Sequence, residues 1–360
     1  MTAWKTKSLS NVVSLQRGHD LPTDERIPGT IPIIGSFGIT GYHNTSKQNG
    51  PGVTIGRSGA SIGKATYVKN EFWPLNTCLF ATNFHGNDPF WVYLMLSQIN
   101  FSGFNSGSAQ PSLNRNIIAG IPVVVPPLPE QQAIAEVLRA LDDKIAANRK
   151  LVTTGTDLGC ALIRRALTTS TVTSLSELAD ITMGSSPKGD TYNEDGQGIV
   201  MYQGNRDFGP RFPSPRIWTT DPVRVAETGD LLLSVRAPVG ELNIAGNRCC
   251  IGRGLAAIHA AQPCAMYFLI SCQPEVFYSY NSDGTIFGSI TKKGLESLPL
   301  KVPNIGLAPL EELLAPLEDR IEAAVHESET LAQLRNTLLP ALMDGTIRVK
   351  DAEKKAEEVL

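Results

Sequence analysis

Serine, arginine and glycine crowd the stretch GRSGASIG at 56–63. A serine among glycines suggests a nucleophile, but the G-x-S-x-G elbow followed by Asp and His is missing. The stretch reads instead as a tight turn exposing backbone N–H groups and Arg57. CIGRGLAA at 250–257 loosely fits the G-x-G-x-x-A dinucleotide pattern. No acidic residue follows at the required distance, so it reads as a strand-end turn. There is no GxxxxGK[ST] phosphate loop, and no Asn-Pro-Pro-aromatic or Asp-Pro-Pro-aromatic stretch of the amino-methyltransferase kind. The six cysteines, Cys78, Cys160, Cys249, Cys250, Cys264 and Cys272, form no CxxC pair. They read as reduced, mostly buried thiols. The five histidines show no zinc spacing. No pair of carboxylates and no His/Cys set points to a catalytic centre.

The polar groups that remain must work by binding, and charge is distributed unevenly among them. The net charge is −3. Residues 1–125 hold 9 Lys+Arg against 5 Asp+Glu, and residues 126–169 hold 6 against 5. Residues 170–303 hold 11 against 13, and residues 304–360 hold 6 against 12. A nucleic-acid binder is often basic overall, so here any such contact must come from local patches. No apolar run reaches the roughly 18 to 20 residues that span a bilayer. MTAWKTKSLS lacks an apolar signal core, so a cytoplasmic location is expected.

These residues sit on a chain that is written twice. A shift of 177 lays Gly107 on Gly284, Ser108 on Thr285, Ser112 on Ser289, Leu113 on Ile290 and Pro122 on Pro299. The same shift lays Ala60 on Ala237 and Gly63 on Gly240. SLSNVVSLQRG at 8–18 resembles SLSELADITMG at 174–184, a shift of 166. Leu141, Asp143 and Ile145 fall on Leu317, Asp319 and Ile321. Short apolar runs with glycine turns, such as GVTIGRSGASIGKATYV and IPVVV, predict strands. DPFWVYLMLSQI and CAMYFLISCQPEVFYSY predict helices. The fold class is α+β, with two globular domains of ordinary size.

The helical segments account for PPLPEQQAIAEVLRALDDKI at 126–145. The prolines stop any earlier helix, and Pro129 suits the first helical position. Glu130 and Glu136 sit early, where the helix dipole favours negative charge. Ile134, Leu138, Leu141, Ile145 and Val152 then follow the 3-4 spacing of a coiled-coil seam, interrupted by Asn148. Gly155 and Gly159 either loosen the helix or admit a close partner. TTSTVTS closes the segment. A second stripe runs through Leu310, Leu314, Leu317, Ile321, Ala324, Leu331, Leu334 and Leu338, and Pro316 should kink it. The first segment, at about 38 residues, would be near 57 Å long at about 1.5 Å per residue. The two stripes predict an antiparallel helix pair. The resulting division is 1–125 and 171–303 for the globular domains, 126–170 and 304–347 for the long helices, and 348–360 for an acidic tail, read as frayed helix or disorder.

A two-domain repeat punctuated by Pro-Pro-Leu-Pro-Glu-Gln-Gln and a long helix resembles the specificity (S) subunit of type I restriction-modification enzymes. The sharpest match is IPVVVPPLPEQQAIAEVLRALDDKIAANRKL at 121–151, which is similar to the family's central region. LRNTLLPALMDGTI at 334–347 is similar to its C-terminal helix ending. NIGLAPLEELLAPLEDRI departs by lacking Glu-Gln-Gln. The resemblance implies two target-recognition domains, each reading half of a split site in double-stranded DNA. Two antiparallel coiled-coil helices related by the internal pseudo-two-fold repeat would set the spacer, at most about 16 base pairs at about 3.4 Å each. It implies no catalysis and no cofactor in this chain. Two methyltransferase subunits would use S-adenosylmethionine, and restriction subunits would use ATP and Mg²⁺.

Such a subunit needs phosphate contacts for register and base contacts for sequence. In the first domain the candidates are Arg17, Lys47, Arg57, Lys64, Gln110, Asn114 and Arg115. In the second they are Lys188, Asn205, Arg206, Arg211, Arg236, Lys292 and Lys293. Arginine can read guanine with two hydrogen bonds, and Asn or Gln can read adenine. Tyr42, His43 and Trp218 could stack near a displaced base. By resemblance, Gln131, Gln132, Asp142, Asp143 and Lys144 are the contacts expected for methyltransferase subunits. A scaffold whose helix pair only joins proteins is the alternative, and salt-dependent duplex binding separates the two. A methyltransferase with unrecognised motifs would have to bind S-adenosylmethionine alone.

Overall fold

A computed structural model describes residues 4–104, 112–281 and 288–357. The chain divides into two compact units, Met1–Ile145 with Thr330–Leu360, and Ala146–Glu329. This division cuts through both long helices rather than setting them apart.

In the first unit a four-stranded antiparallel sheet runs in the order Ser14–Arg17, Cys78–Asn83, Gly52–Gly56, Ala65–Val68. A three-stranded sheet places Ile31–Gly35 between Gly38–His43 and Trp73–Pro74, the last pairing being parallel. Lys5–Ser8 pairs with Pro122–Val125. The helix Pro89–Gln98 has little polar character and is buried through Phe90, Trp91, Val92, Leu94, Met95 and Leu96, as a helix apolar on all sides must be. Asp88 caps it, accepting the Trp91 N–H at 2.8 Å.

The second unit repeats this plan. Its four-stranded sheet runs Ala179–Met183, Leu255–Ala260, Leu231–Ser234, Leu242–Ile244. Ser170–Ser174 pairs with Pro299–Pro303, so the Ser/Thr stretch is a strand of this unit and not a simple terminator. A five-stranded sheet stands in place of the three-stranded one, and it keeps one parallel pairing, Ile199–Tyr202 with Cys249–Ile251. The repeat extends to single glycines. Gly63 has φ +81° and Gly240 has φ +97°. A Cβ at Gly63 would meet the Phe101 ring at 2.6 Å, and one at Gly240 would meet the Phe277 ring at 2.5 Å. Only glycine satisfies both the backbone and the neighbouring ring there. The Gly107–Gly284 and Ser108–Thr285 matches lie outside the described residues.

The expected helix over CAMYFLISCQPEVFYSY is broken. Pro263–Ser271 is α-helical, Pro274–Phe277 is a 3-10 turn, and Tyr278–Asn281 is a short helix. Pro274 offers no N–H, and it disfavours helical backbone at Gln273.

The first long helix spans Leu128–Ala166 and the second Ala308–Met343. The second runs through Pro316 as one element, with Pro316 exposed while Leu314 and Ile321 are buried. Asp142 meets Arg335, Asn148 meets Glu327, and Gly155 faces Ile321. Partner numbers fall as the first helix is ascended, so the pairing is antiparallel. Ile134, Leu138, Leu141 and Ile145 join Leu331, Leu338, Leu339 and Leu342 in the first unit's core. Ile163 joins Leu310, Leu314 and Ile321 in the second unit's core. Asn148, which interrupts the stripe, is buried and donates to Glu327 at 2.7 Å. The glycines serve close approach. A Cβ at Gly155 would lie 3.0 Å from Ile321, and one at Gly159 would lie 2.4 Å from Phe268.

The tail departs from expectation through residue 357. Val349–Glu357 is a helix whose Ala352 and Ala356 are buried in the first unit's core. Two small residues four apart gave it a face to pack. All six cysteines are free; Cys264 is half-buried and the others are buried.

Candidate nucleic-acid interface

The first unit opens a cleft of about 480 Å³ where its repeated elements end. Arg17 closes the strand Ser14–Arg17, and Arg57 follows the strand Gly52–Gly56. Asn114 caps the short helix Arg115–Ile118, accepting the Asn116 N–H at 3.0 Å. The backbone ties these ends together. Leu113 N–H donates to the Arg57 carbonyl at 2.8 Å, and Gly18 N–H donates to the Cys78 carbonyl at 3.1 Å. Gly18 has no room for a Cβ, since the Leu75 carbonyl oxygen would lie 2.1 Å from it. Arg17, Arg57, Asn114 and Arg115 thus line one cleft with Gln16, His19 and Asp20.

Among the described residues, little neutralises these cations. Arg17 reaches Asp20 only at 3.9 Å, both side chains being exposed. Arg57 is half-buried and donates to the Asn76 carbonyl at 3.5 Å. An exposed pair of this kind contributes little to stability. The cleft therefore holds three guanidinium groups, two amides, an imidazole and a single carboxylate. That set fits phosphate oxygens and base edges.

Lys47 and Lys64 stand outside the cleft. Lys47 Nζ lies 5.0 Å from the Trp73 ring centroid, and Lys64 Nζ lies 5.3 Å from that of Phe37. Gln110 lies outside the described residues. Gln16 and His19 were missed by sequence reading. The available signal was their position flanking the repeated Gly18.

In the second unit Gly184 matches Gly18, with the Gly252 carbonyl oxygen 2.2 Å from a Cβ there. Thr291 caps the helix Lys292–Glu296 as Asn114 caps its counterpart. Ile290 N–H donates to the Val235 carbonyl at 3.0 Å, as Leu113 N–H does to Arg57. Arg17, Arg57 and Arg115 therefore correspond to Met183, Val235 and Lys292. Lys188, Arg206, Arg236, Lys292 and Lys293 are exposed. Asn205 donates to Glu241 at 2.6 Å, and Lys292 pairs with Glu296 at 3.5 Å.

Arg211 is withdrawn from the contact set. Its side chain is fully buried and ion-paired with Glu318, and its guanidinium lies 3.7 Å from the Tyr267 ring centroid. Burial is the largest single influence and works against the charge, but hydrogen bonding and charge attraction from Glu318 together with the Tyr267 hydroxyl outweigh it and hold the group above the usual arginine pKa. Gln131 is also withdrawn, from the partner contacts. It is buried, with Nε2 donating to Asn87 Oδ1 and to the Pro126 carbonyl at 2.9 Å each. Its Oε1 accepts the Asp88 N–H at 3.0 Å, so it locks the start of the long helix to the cap of another. Asp142 is half-buried against Arg335, Asp143 is exposed and pairs with Lys69 at 2.8 Å, and Gln132 is exposed. Lys144 is half-buried. His43 is a core residue whose Nδ1 accepts the Ile27 N–H at 3.0 Å, against the Trp73 ring. Tyr42 is exposed and Trp218 half-buried.

Among the described residues no His/Cys/Asp/Glu cluster could hold a metal ion, and no helix is long and apolar enough to cross a membrane.

A family model described as the type I restriction modification DNA specificity domain matches residues 1–153. The putative type I restriction enzyme MjaX specificity subunit of Methanocaldococcus jannaschii is 29% identical over 333 residues, covering 82% of this chain and 76% of that protein. The type I restriction enzyme EcoprrI specificity subunit of Escherichia coli is 27% identical over 143 residues, 38% of this chain and 36% of its own. The fold is similar to the crystal structure of a type I restriction-modification S subunit from M. genitalium. That likeness has a TM-score of 0.68 at 14% identity, and it covers 94% of this chain and 96% of the other. Residues 1–153 thus carry the type I restriction modification DNA specificity domain, and with its repeated α+β units and paired long helices the chain is similar over most of its length to type I restriction-modification specificity subunits.

Proposed function

We propose that this chain reads a split site in double-stranded DNA, with each compact unit contacting one half. The observation that carries this reading is the first unit's cleft, where Arg17, Arg57, Asn114 and Arg115 converge from separate elements with little internal neutralisation. The long helices would set the unread spacer. A 39-residue helix extends about 58 Å, which equals about 17 base pairs. Gln132, Asp143 and Lys144 are the proposed contacts for two methyltransferase subunits, which would bring S-adenosylmethionine. Restriction subunits would bring ATP and Mg²⁺.

The test is to co-express this chain with the methyltransferase subunit encoded beside it and map modified adenine in the host DNA. A split motif of fixed spacing, lost when this chain is omitted, is the expected result. A stable complex without chain-dependent modification would favour a protein scaffold instead.

The cleft makes a second, quantitative prediction. In the purified complex, Arg57→Ala and Arg115→Ala should each weaken duplex binding and each lower the slope of log K against log salt by about 1. Titrations at several salt concentrations measure this directly. A slope equal to that of the parent complex would remove these arginines from the phosphate contacts.

A further inference from the structure

We infer that Phe37 is an apolar wedge that enters a base step of the half-site contacted by the first unit; this rests on the DNA-reading role proposed above. The strands Ile31–Gly35 and Gly38–His43 are joined by only two residues, Ser36 and Phe37, with Gly35 opposite Gly38. Gly38 takes φ +110°, which keeps the turn tight. Ser36 faces inward and Phe37 outward. Phe37 is 62% exposed, and Ile39 beside it is 59% exposed.

The turn is fastened to the root of the cationic cleft. Ser36 Oγ donates to the Thr77 carbonyl at 2.5 Å, and the Arg57 N–H donates to the same carbonyl at 3.0 Å. Ser36 Oγ also lies 3.5 Å from Ser58 Oγ. The hairpin tip and Arg57 therefore belong to one rigid corner. Lys64 holds its ammonium 5.3 Å from the Phe37 ring centroid. A cation over an aromatic face attracts the ring and orients it.

One exposed aromatic is ordinary on a protein surface. An exposed aromatic on a two-residue turn, beside Lys64 and anchored to the same carbonyl as Arg57, is a different object. The positive charge selects a polyanion, and the ring supplies a face that can separate or stack on bases. Proteins that kink duplexes use apolar wedges in this way, flanked by basic residues. The matching hairpin of the second unit does not offer this group. Between Ile199–Tyr202 and Ile217–Thr219 its connection buries Arg211 and stacks Phe212 on His326 at 5.2 Å and 9°.

The test uses the assembled complex and duplexes carrying the mapped site, with 2-aminopurine placed at successive steps of each half. The parent complex should raise the emission at one step of one half-site only. Phe37→Ala should abolish that rise and weaken binding by about tenfold to a hundredfold, the range for losing one base–aromatic stack. Its salt slope should stay unchanged, because no counterion contact is lost. Phe37→Trp should keep the affinity, and its emission should be quenched on adding duplex. Since Phe37 is exposed, neither variant should disturb folding. Parental binding by Phe37→Ala, with methylation intact, would overturn the wedge and leave the DNA-reading role standing. A tryptophan signal that changes on adding the methyltransferase subunit without DNA would instead assign this tip to a protein contact. A parent complex that binds no duplex would overturn both readings.

Discussion

A chain carrying Leu141→Asp should lose the first unit's core and, with it, the proposed binding of a methyltransferase subunit. Leu141 is fully buried in the cluster that holds Ile134, Leu138, Ile145, Leu331 and Leu338. Removing its packing costs about 2 to 5 kcal/mol. Placing a carboxyl group there without a partner adds several kcal/mol more, whether it ionises or takes up a proton. At roughly 2 to 4 °C per kcal/mol for a unit of this size, the melting temperature should fall by at least about 10 °C. Thermal denaturation and co-purification read the two effects separately. An unchanged melting temperature with intact co-purification would show that the helix seam is not what joins these segments. Leu141→Ile, which conserves volume, should stay close to the parent.

The second large effect is expected at Arg211. Its buried pairing with Glu318 joins positions 107 residues apart, and its guanidinium also packs on the Tyr267 and Phe268 rings. Arg211→Ala would leave Glu318, 6% exposed, as an uncompensated buried charge. Breaking a buried pair from one side costs about 3 to 5 kcal/mol. Denaturant titration should show a transition of the second unit moved to lower concentration, with the first unit's transition in place. Replacing both partners, as Arg211→Met with Glu318→Leu, should recover most of the loss, because no charge is then stranded. If the single and double variants were equally unstable, packing on Tyr267 would be the main contribution and the ion pair secondary.

The same arginine marks where sequence reading stops. The repeat was legible because it is carried by residues with few substitutes. Gly63 and Gly240 need positive φ, Gly18 and Gly184 need a missing Cβ, and the seam needs leucine and isoleucine at helical spacing. The cleft was legible in part, since Arg17, Arg57, Asn114 and Arg115 sit at the ends of repeated elements. Arg211 read as a surface cation because its partner, Glu318, is remote in sequence. Gln131 read as a helix flank for the same reason, its bonds going to Asn87 and Asp88 just before the start of a different helix. Pro316 does not end the second long helix, which continues through it as Ala308–Met343. Phe37 carried no signal, since an apolar residue between strands reads as core until the turn is seen to face outward.

The division of the chain has a consequence for its synthesis. The second unit, Ala146–Glu329, is continuous, whereas the first is completed only by Thr330–Leu360. On the ribosome the second unit can close its core while the first still lacks Leu331, Leu338, Leu339 and Leu342. About 185 residues separate Ile145 from Thr330, and at roughly 5 to 20 residues per second that is a delay on the order of 10 to 40 s. During it the nascent chain bears Ile134, Leu138 and Leu141 as an uncovered apolar stripe. The order of folding is thus opposite to the order of the units, and the period of greatest exposure to aggregation and to chaperones falls between them.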